Sequence, residues 1–287
     1  MNKGETDMIY GTYPSGTCRI FGTAEPFGGS AEKDGGKMEN ERITGVIAAG
    51  GDLDPGFTAL AVRALKERYA SSGGRLLVCA ADRGLEALLQ AGISPELLVG
   101  DFDSADPGKL ERALRIPGLK VERHDPVKDA SDLELACGTL FRAGAERIFL
   151  LGALGGRMDH ELANFRLLFH EGLSGHEIVI LDPRNRIRCL VPGTGHPFEA
   201  RLRRESQWGR YISFLPAGGP VTIESLSGVK YPLEKHRLTE QGTPSLTISN
   251  EITGGEALIR FTAAPDAGLY VIETSDRPVT EIPPERI

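Results

Sequence analysis

Four cysteines and one tryptophan in 287 residues leave little material for cross-linking or for a cysteine-based metal site. Cys18, Cys79, Cys137 and Cys189 are scattered without a C-x-x-C pair, which argues against a disulfide framework or a zinc site and fits reduced thiols. No stretch approaches the ~20 apolar residues of a membrane span. Nor does a basic start lead into the apolar core of a secretion signal, so the cytoplasm is the expected location, with no membrane partner. A basic stripe is also missing: 33 Lys and Arg stand against 40 Asp and Glu, a formal charge of -7, which argues against a nucleic-acid partner. The G-x-G-x-x-G fingerprint and the Walker G-x-x-x-x-G-K-[ST] loop are absent too, so neither a dinucleotide-binding fold nor a P-loop kinase is supported.

What the chain does contain is regular alternation. Residues 1–42, rich in Gly, Ser, Thr, Glu and Lys, hold no sustained period and are expected to form a flexible extension. From residue 43, apolar runs such as "ITGVIAAGG", "RLLVCAA" and "ELLVG" alternate with amphipathic helical spacings such as "FTALAVRALKERYA". Strands apolar throughout and separated by helices predict a parallel sheet covered on both faces. After about residue 200 the segments become short, β-rich and punctuated by Gly and Pro. The expected architecture is therefore α/β: a three-layer parallel-sheet domain over 43–200, followed by a smaller all-β, sandwich-like domain over 205–287. Trp208 is read as packing at the junction.

In open parallel sheets ligands bind beyond the carboxyl ends of the strands. Polar residues gather at four such ends: Asp82 with Arg83, Asp101 with Asp103, Asp125 through Asp132, and Arg157 through His160. In extended chain Asp101 and Asp103 share one face, where two unpaired carboxylates would repel and a hard divalent cation would relieve them. A surface turn is the alternative reading. "KDASD" sets Lys128 and Asp129 before Ser131, whose S-x-x-E spacing to Glu134 makes a capping box. Asp132 then falls in the first helical turn, where the helix dipole favours it. Capping leaves Lys128 and Asp129 unexplained, and a Lys beside carboxylates at a helix start suits phosphate and metal. In "GGRMDH", Arg157 offers a planar fork for phosphate. Asp159 caps the next helix or joins the metal shell, and His160 is a phosphate contact or a surface residue.

Taken in order, "AADRG", "GISPELLVGDFDS", "KDASD", "GGRMDH" and "SNE" resemble the thiamine pyrophosphokinase family from about residue 43 almost to the end. The resemblance implies a homodimer that moves the pyrophosphoryl group of ATP to thiamine, with thiamine bound between subunits. Carried over position by position, Asp101, Asp103 and Asp132 would hold Mg2+. Asp82 would lie close by, Lys128 and Arg157 would face the ATP phosphates, and Thr247, Ser249 and Asn250 would lie near thiamine. The residues themselves add Asp159 and His160 as candidate contacts to ATP, and the chemistry asks for a carboxylate, Asp103 or Asp129, to accept the hydroxyl proton. Arg83 departs from the family's usual Gly, and Ser131 from its usual Thr. Two rivals remain at this point: a pyrophosphokinase acting on a hydroxymethylpterin, and a non-enzymatic nucleotide or thiamine-phosphate sensor.

Overall fold

A computed structural model describes residues 42–102, 107–125, 129–192 and 197–287. The extension expected over 1–42 lies, but for its last residue, outside them. The first half runs β1 (Ile43–Ala48), α1 (Pro55–Ala70), β2 (Arg75–Ala81), α2 (Gly84–Gln90), β3 (Leu97–Gly100), α3 (Pro107–Ala113) and β4 (Lys120–Arg123). It continues with α4 (Asp132–Arg142), β5 (Ala145–Leu151), α5 (Met158–Leu173) and β6 (Glu177–Leu181).

Strands β1 to β6 lie parallel in the order β6-β5-β1-β2-β3-β4. The two-residue period of each strand divides its apolar side chains between two cores. Val46 and Ala48 face α1 and α2, packing with Phe57, Leu65, Leu85 and Leu88. Ile47 and Ala49 face α4 and α5, packing with Cys137, Leu140 and Leu168. Both faces are covered, as continuous apolar strands require. Helix α1 begins where Asp54 accepts the Phe57 N–H at 2.7 Å and Pro55 takes the first helical position.

The second half is β7 (Asn185–Leu190), β8 (Phe198–Arg203), β9 (Tyr211–Ala217), β10 (Val221–Ser227), β11 (Leu233–Leu238), β12 (Asn250–Glu251), β13 (Glu256–Ala263) and β14 (Gly268–Thr274). Four of its strands form an antiparallel sheet, β11-β10-β13-β8. Ile223, Ile259 and Phe261 of that sheet pack against Phe214 and Val271 of β9 and β14, giving the expected sandwich.

The boundary near 200–205 divides the sequence but not the sheet. β7 turns back on β6, β14 pairs with β7, and β9 and β12 follow, so one ten-stranded sheet runs through both halves. An exposed edge on β6 would offer unpaired backbone groups, and these four strands cover it. The turn into β7 is fixed by Asp182, which accepts the N–H groups of Arg184 and Asn185 at 2.6 and 2.7 Å. Trp208 joins the halves as read from the sequence. It is 1% exposed, meets Phe57 edge-on at 6.2 Å between ring centroids, and donates to the Asp182 carbonyl at 3.2 Å. Among the described residues no helix is long and apolar enough to cross a membrane.

Candidate active site

The chain leaves β1 towards β2, β3 and β4 on one side and returns on the other side as β5, so the topology switches between β1 and β5. A crevice at their carboxyl ends follows from that reversal. Glycines line it. The Gly51 N–H donates to the Gly152 carbonyl at 3.0 Å, and a β-carbon on Gly51 would come within 2.3 Å of that oxygen. Gly84, at the start of α2, sits so close to β1 that a β-carbon would lie 1.9 Å from the Ala48 carbonyl oxygen.

Asp82 follows β2 in the left-handed region, φ 46°, with its N–H donating to the Val99 carbonyl at 3.0 Å. That bond ties the turn to β3, whose own end carries Asp101, half-buried. The extended chain of β3 does not continue through Phe102. β3 stops at Gly100 (φ 153°), and Phe102 between the two aspartates adopts φ 62°. The reason is packing: Phe102 turns its ring inward to 7% exposure, and the Arg123 guanidinium lies 5.3 Å from the ring centroid. Asp103, and Lys128 of the next cluster, lie outside the described residues.

Asp125 and Asp129 are exposed beyond β4 at the same edge of the sheet. The capping box of α4 is present in both directions. Ser131 Oγ accepts the Glu134 N–H at 3.2 Å, and the Glu134 carboxylate accepts the Ser131 N–H at 2.7 Å. This holds Asp132 half-buried in the first turn, its carboxylate at the positive end of the helix.

The loop after β5 differs from expectation in its capping. Arg157, not Asp159, occupies the cap position of α5 and provides no side-chain cap. Asp159 instead pairs with Arg157 at 3.1 and 2.5 Å, both side chains well exposed. That hydrogen bond pulls Asp159 below the usual carboxylate range and raises Arg157. The physical cause is sequence distance: two residues on, the carboxylate reaches the guanidinium more easily than the free N–H groups behind it. His160 is exposed beside them, its backbone N–H donating to Asp159 at 3.0 Å. Sequence reasoning missed Glu161, whose carboxylate accepts the N–H groups of Gly155 and Gly156 at 3.0 and 2.9 Å. Two adjacent glycine N–H groups aimed at one anion form a nest of the kind that receives phosphate, and the available signal was a Glu shortly after Gly-Gly.

Thr247, Ser249 and Asn250 belong to another part of the sheet. β12 lies six strand steps from β1, roughly 30 Å along the sheet. Thr247 and Asn250 are buried, Thr247 Oγ1 donating to the Phe214 carbonyl and Asn250 Nδ2 to the Tyr231 carbonyl at 2.8 Å. The Asn250 carboxamide oxygen in turn accepts the Tyr231 N–H at 3.0 Å. These two side chains therefore shape the loop, and Ser249, at φ 56°, is the exposed one. Beside it the chain exposes Tyr231, Leu246 and Ile248, an apolar group the sequence reading did not single out.

Among the described residues no three His, Cys, Asp or Glu side chains are gathered closely enough to hold an ion by themselves. The donors at the strand ends are nonetheless of one kind. Asp82, Asp101, Asp129 and Asp132 offer carboxylate oxygen without thiolate or imidazole, the set that fits a hard cation completing its shell from phosphate and water.

Comparison with known proteins agrees with the two-part fold. Residues 73–180 match the model of the thiamin pyrophosphokinase catalytic domain, and residues 199–264 that of the thiamin pyrophosphokinase vitamin B1 binding domain. The chain is 34% identical over 183 residues to thiamine pyrophosphokinase of Bacillus subtilis, covering 63% of this chain and 80% of that one. Identity to thiamine pyrophosphokinase 1 of Oryza sativa is 30% over 179 residues, 60% of this chain and 64% of the other. The crystal structure of the Bacillus subtilis enzyme superposes with a TM-score of 0.66 at 29% identity, over 82% of this chain and all of that one. That of the Geobacillus thermodenitrificans enzyme gives 0.64 at 28%, over 82% and 98%.

Proposed function

The chain belongs to the thiamine pyrophosphokinase family, and from that premise we propose that it transfers the pyrophosphoryl group of Mg-ATP to the thiamine hydroxyl, giving thiamine diphosphate and AMP. The observation that carries the site assignment is the placement of Asp82, Asp101, Asp129, Asp132 and the Gly155–Gly156 nest beyond the carboxyl ends of the parallel strands β2 to β5. Neither rival gains support, since both family models and the relatives point to thiamine, and none to a pterin or to a sensor without turnover.

Asp101 and Asp132, with Asp103, would hold the magnesium ion, which supplies charge neutralisation on the triphosphate when bound. Such transfer asks the protein mainly for positioning, and orientation contributes on the order of 7–11 kcal/mol in well-aligned reactions. The glycine nest would bind phosphate oxygens once Glu161 withdraws, and Arg157 once it releases Asp159. Lys128 would add an ammonium, with Asp82 and His160 close to the nucleotide. Asp129, exposed at the helix start, or Asp103 would take the proton from the hydroxyl.

The acceptor is expected around Ser249, where Tyr231, held by Asn250, supplies the aromatic surface and Thr247 ties the loop to Phe214. Because that edge lies roughly 30 Å along the sheet from β1, we take the working site to be built from two subunits of a homodimer. Reduced thiols and the chemistry of the substrates suit a cytoplasmic enzyme.

The test is direct: purified protein with Mg-ATP and thiamine, scored for thiamine diphosphate and AMP. Release of ADP, or no product from thiamine, would overturn the assignment. Asp101→Asn should lower Mg-dependent AMP release at least a hundredfold; near-parental turnover would remove Asp101 from the metal site.

A further inference from the structure

A second group of cationic side chains lies away from the strand ends. On the face of the large sheet that α1 covers, the helical layer gives way to the four-stranded sheet, and the two layers leave a cavity of about 310 Å3 between them. Its walls carry Arg68 from the last turn of α1, Arg147 from the start of β5, Arg186 and Arg188 from β7, and Arg201 and Arg203 from β8. None of Asp82, Asp101, Asp132 or Arg157 lines it.

Most of these guanidiniums are already matched. Arg147 pairs with Glu177 at 2.5 Å, and Arg186 holds Glu273 through two nitrogens while donating to the Ser206 carbonyl at 2.8 Å. Arg201 pairs with Glu256 at 3.1 Å, and Arg203 lies 3.7 Å from Glu205. Arg188 is different. It sits opposite Val179 of β6 and Val271 of β14, so its side chain rises from the middle of the sheet between apolar neighbours. Its Nε is sealed from solvent and, among the described residues, has no hydrogen-bond partner. Burial pushes its pKa down, against the pull of Glu273. An arginine cannot escape that conflict by losing its proton at ordinary pH, so the desolvated charge calls for an anion.

We propose that this seam is a binding site for a small diphosphate-bearing anion, anchored by Arg188 from the sheet and closed by Arg68 from the end of α1. Two observations select the class. Glu177, Glu205, Glu273 and Glu285 share the walls, and carboxylates engage most of the arginines, so the N–H donors left for a ligand are those of Arg188 and Arg68. Their approach from two sides matches an oxyanion with oxygens pointing in different directions better than a single planar carboxylate. The volume is at the lower end of the range for ligand pockets, which suits a diphosphate group. The anion can be free pyrophosphate or the diphosphate end of a larger molecule. The site is independent of the strand-end assignment, so either can fail without the other.

Calorimetric titration of the full-length protein with inorganic pyrophosphate, in chelator so that no metal-dependent binding at the strand ends contributes, tests the proposal. Saturable binding is expected, unchanged in Asp101→Asn, weakened at least about tenfold in Arg188→Gln and several-fold in Arg68→Gln. Arg68 is exposed on α1, so the second variant keeps the test open if the first does not fold. A parallel arm with thiamine diphosphate separates the two sources of the group, the tighter ligand naming the natural one. No saturation in the millimolar range, or binding lost in Asp101→Asn yet intact in folded Arg188→Gln and Arg68→Gln, overturns it.

Discussion

Replacing Gly84 with alanine adds one methyl group where the structure has no room for it. The new β-carbon would stand 1.9 Å from the Ala48 carbonyl oxygen and 2.9 Å from the Ala49 nitrogen, so the first turn of α2 must retreat from β1 by roughly an ångström. Yielding by β1 is not available. Ala48 is paired with Ala80 of β2 on one side and Leu151 of β5 on the other, in the middle of the sheet. The helix therefore moves, and it takes part of its packing with it: Leu85 and Leu88 are buried in the same core as Ala48. Overpacking of this kind costs about 1–3 kcal/mol, and a rigid backbone partner places Gly84→Ala in the upper half of that range. Function should suffer more than stability. Asp82 and Arg83 precede Gly84 directly, and Asp82 is anchored to β3 through Val99, so a retreating helix drags on a turn that cannot follow. Displacing a positioning group by an ångström costs about a hundredfold in rate. Urea unfolding measures the first effect and AMP release the second. Gly254→Ala, where an added β-carbon meets nothing within 4 Å, is the control and should change stability by less than about 0.5 kcal/mol. If Gly84→Ala matched that control in both assays, the close approach of α2 to β1 would not be what holds the Asp82 turn.

Trp208→Ala should cost about 3–5 kcal/mol in urea unfolding, because it opens a cavity between α1 and the second half of the chain and removes the hydrogen bond to Asp182; a loss under 1 kcal/mol would deny the indole its joining role. Burial pushes the thiols of Cys79, Cys137 and Cys189 up, that of Cys189 to about 12. Unfolded thiols titrate near 8.5, so the native state holds more protons above that pH: the contribution is complete below about pH 8.5 and is lost as pH rises towards 12. Cys189→Ala should accordingly flatten the fall in stability measured across that alkaline window, and an unchanged slope would contradict the burial of this thiol.

The buried strands of the first half were legible because their apolar runs are long enough to be covered on both faces, and α4 announces its start in the spacing of Ser131 to Glu134. Phe102 was not legible. A bulky residue with positive φ is disfavoured locally, and only the inward pull on its ring, which no neighbour in sequence announces, reverses the preference. Asp159 misled, and Glu161 was missed, for a related reason. Both are acidic residues in a first helical turn, where the dipole explains either, but which one binds backbone and which binds Arg157 depends on the shape of the loop before them. The shared sheet was hidden by distance along the chain: β14 pairs with β7 across the whole sandwich, and strand pairing of that span leaves no local mark. In "NRIRCL" arginine alternates with apolar residues, and the structure turns the arginine face towards a cavity between layers.

The continuity of the sheet makes the proposed two-subunit site open to a decisive test. Hydrogen bonding fixes β12 at one end of ten strands and the strand-end carboxylates in the other half, so no loop movement within the described chain brings Ser249 and Tyr231 over Asp101. If a second copy supplies them, Asp101→Asn and Tyr231→Ala damage different halves of each composite site. Coexpressing the two variants gives mixed dimers in which one site carries both lesions and the other neither. Random pairing makes half of the dimers mixed, each with one intact site of two, so the preparation should regain about a quarter of parental turnover. The magnitude does not depend on how strongly either lesion acts, provided each alone is nearly inactive. A site contained within one chain would give only the mean of the two crippled enzymes, and that result would refute the composite arrangement while leaving the strand-end carboxylates, tested separately by Asp101→Asn alone, in place.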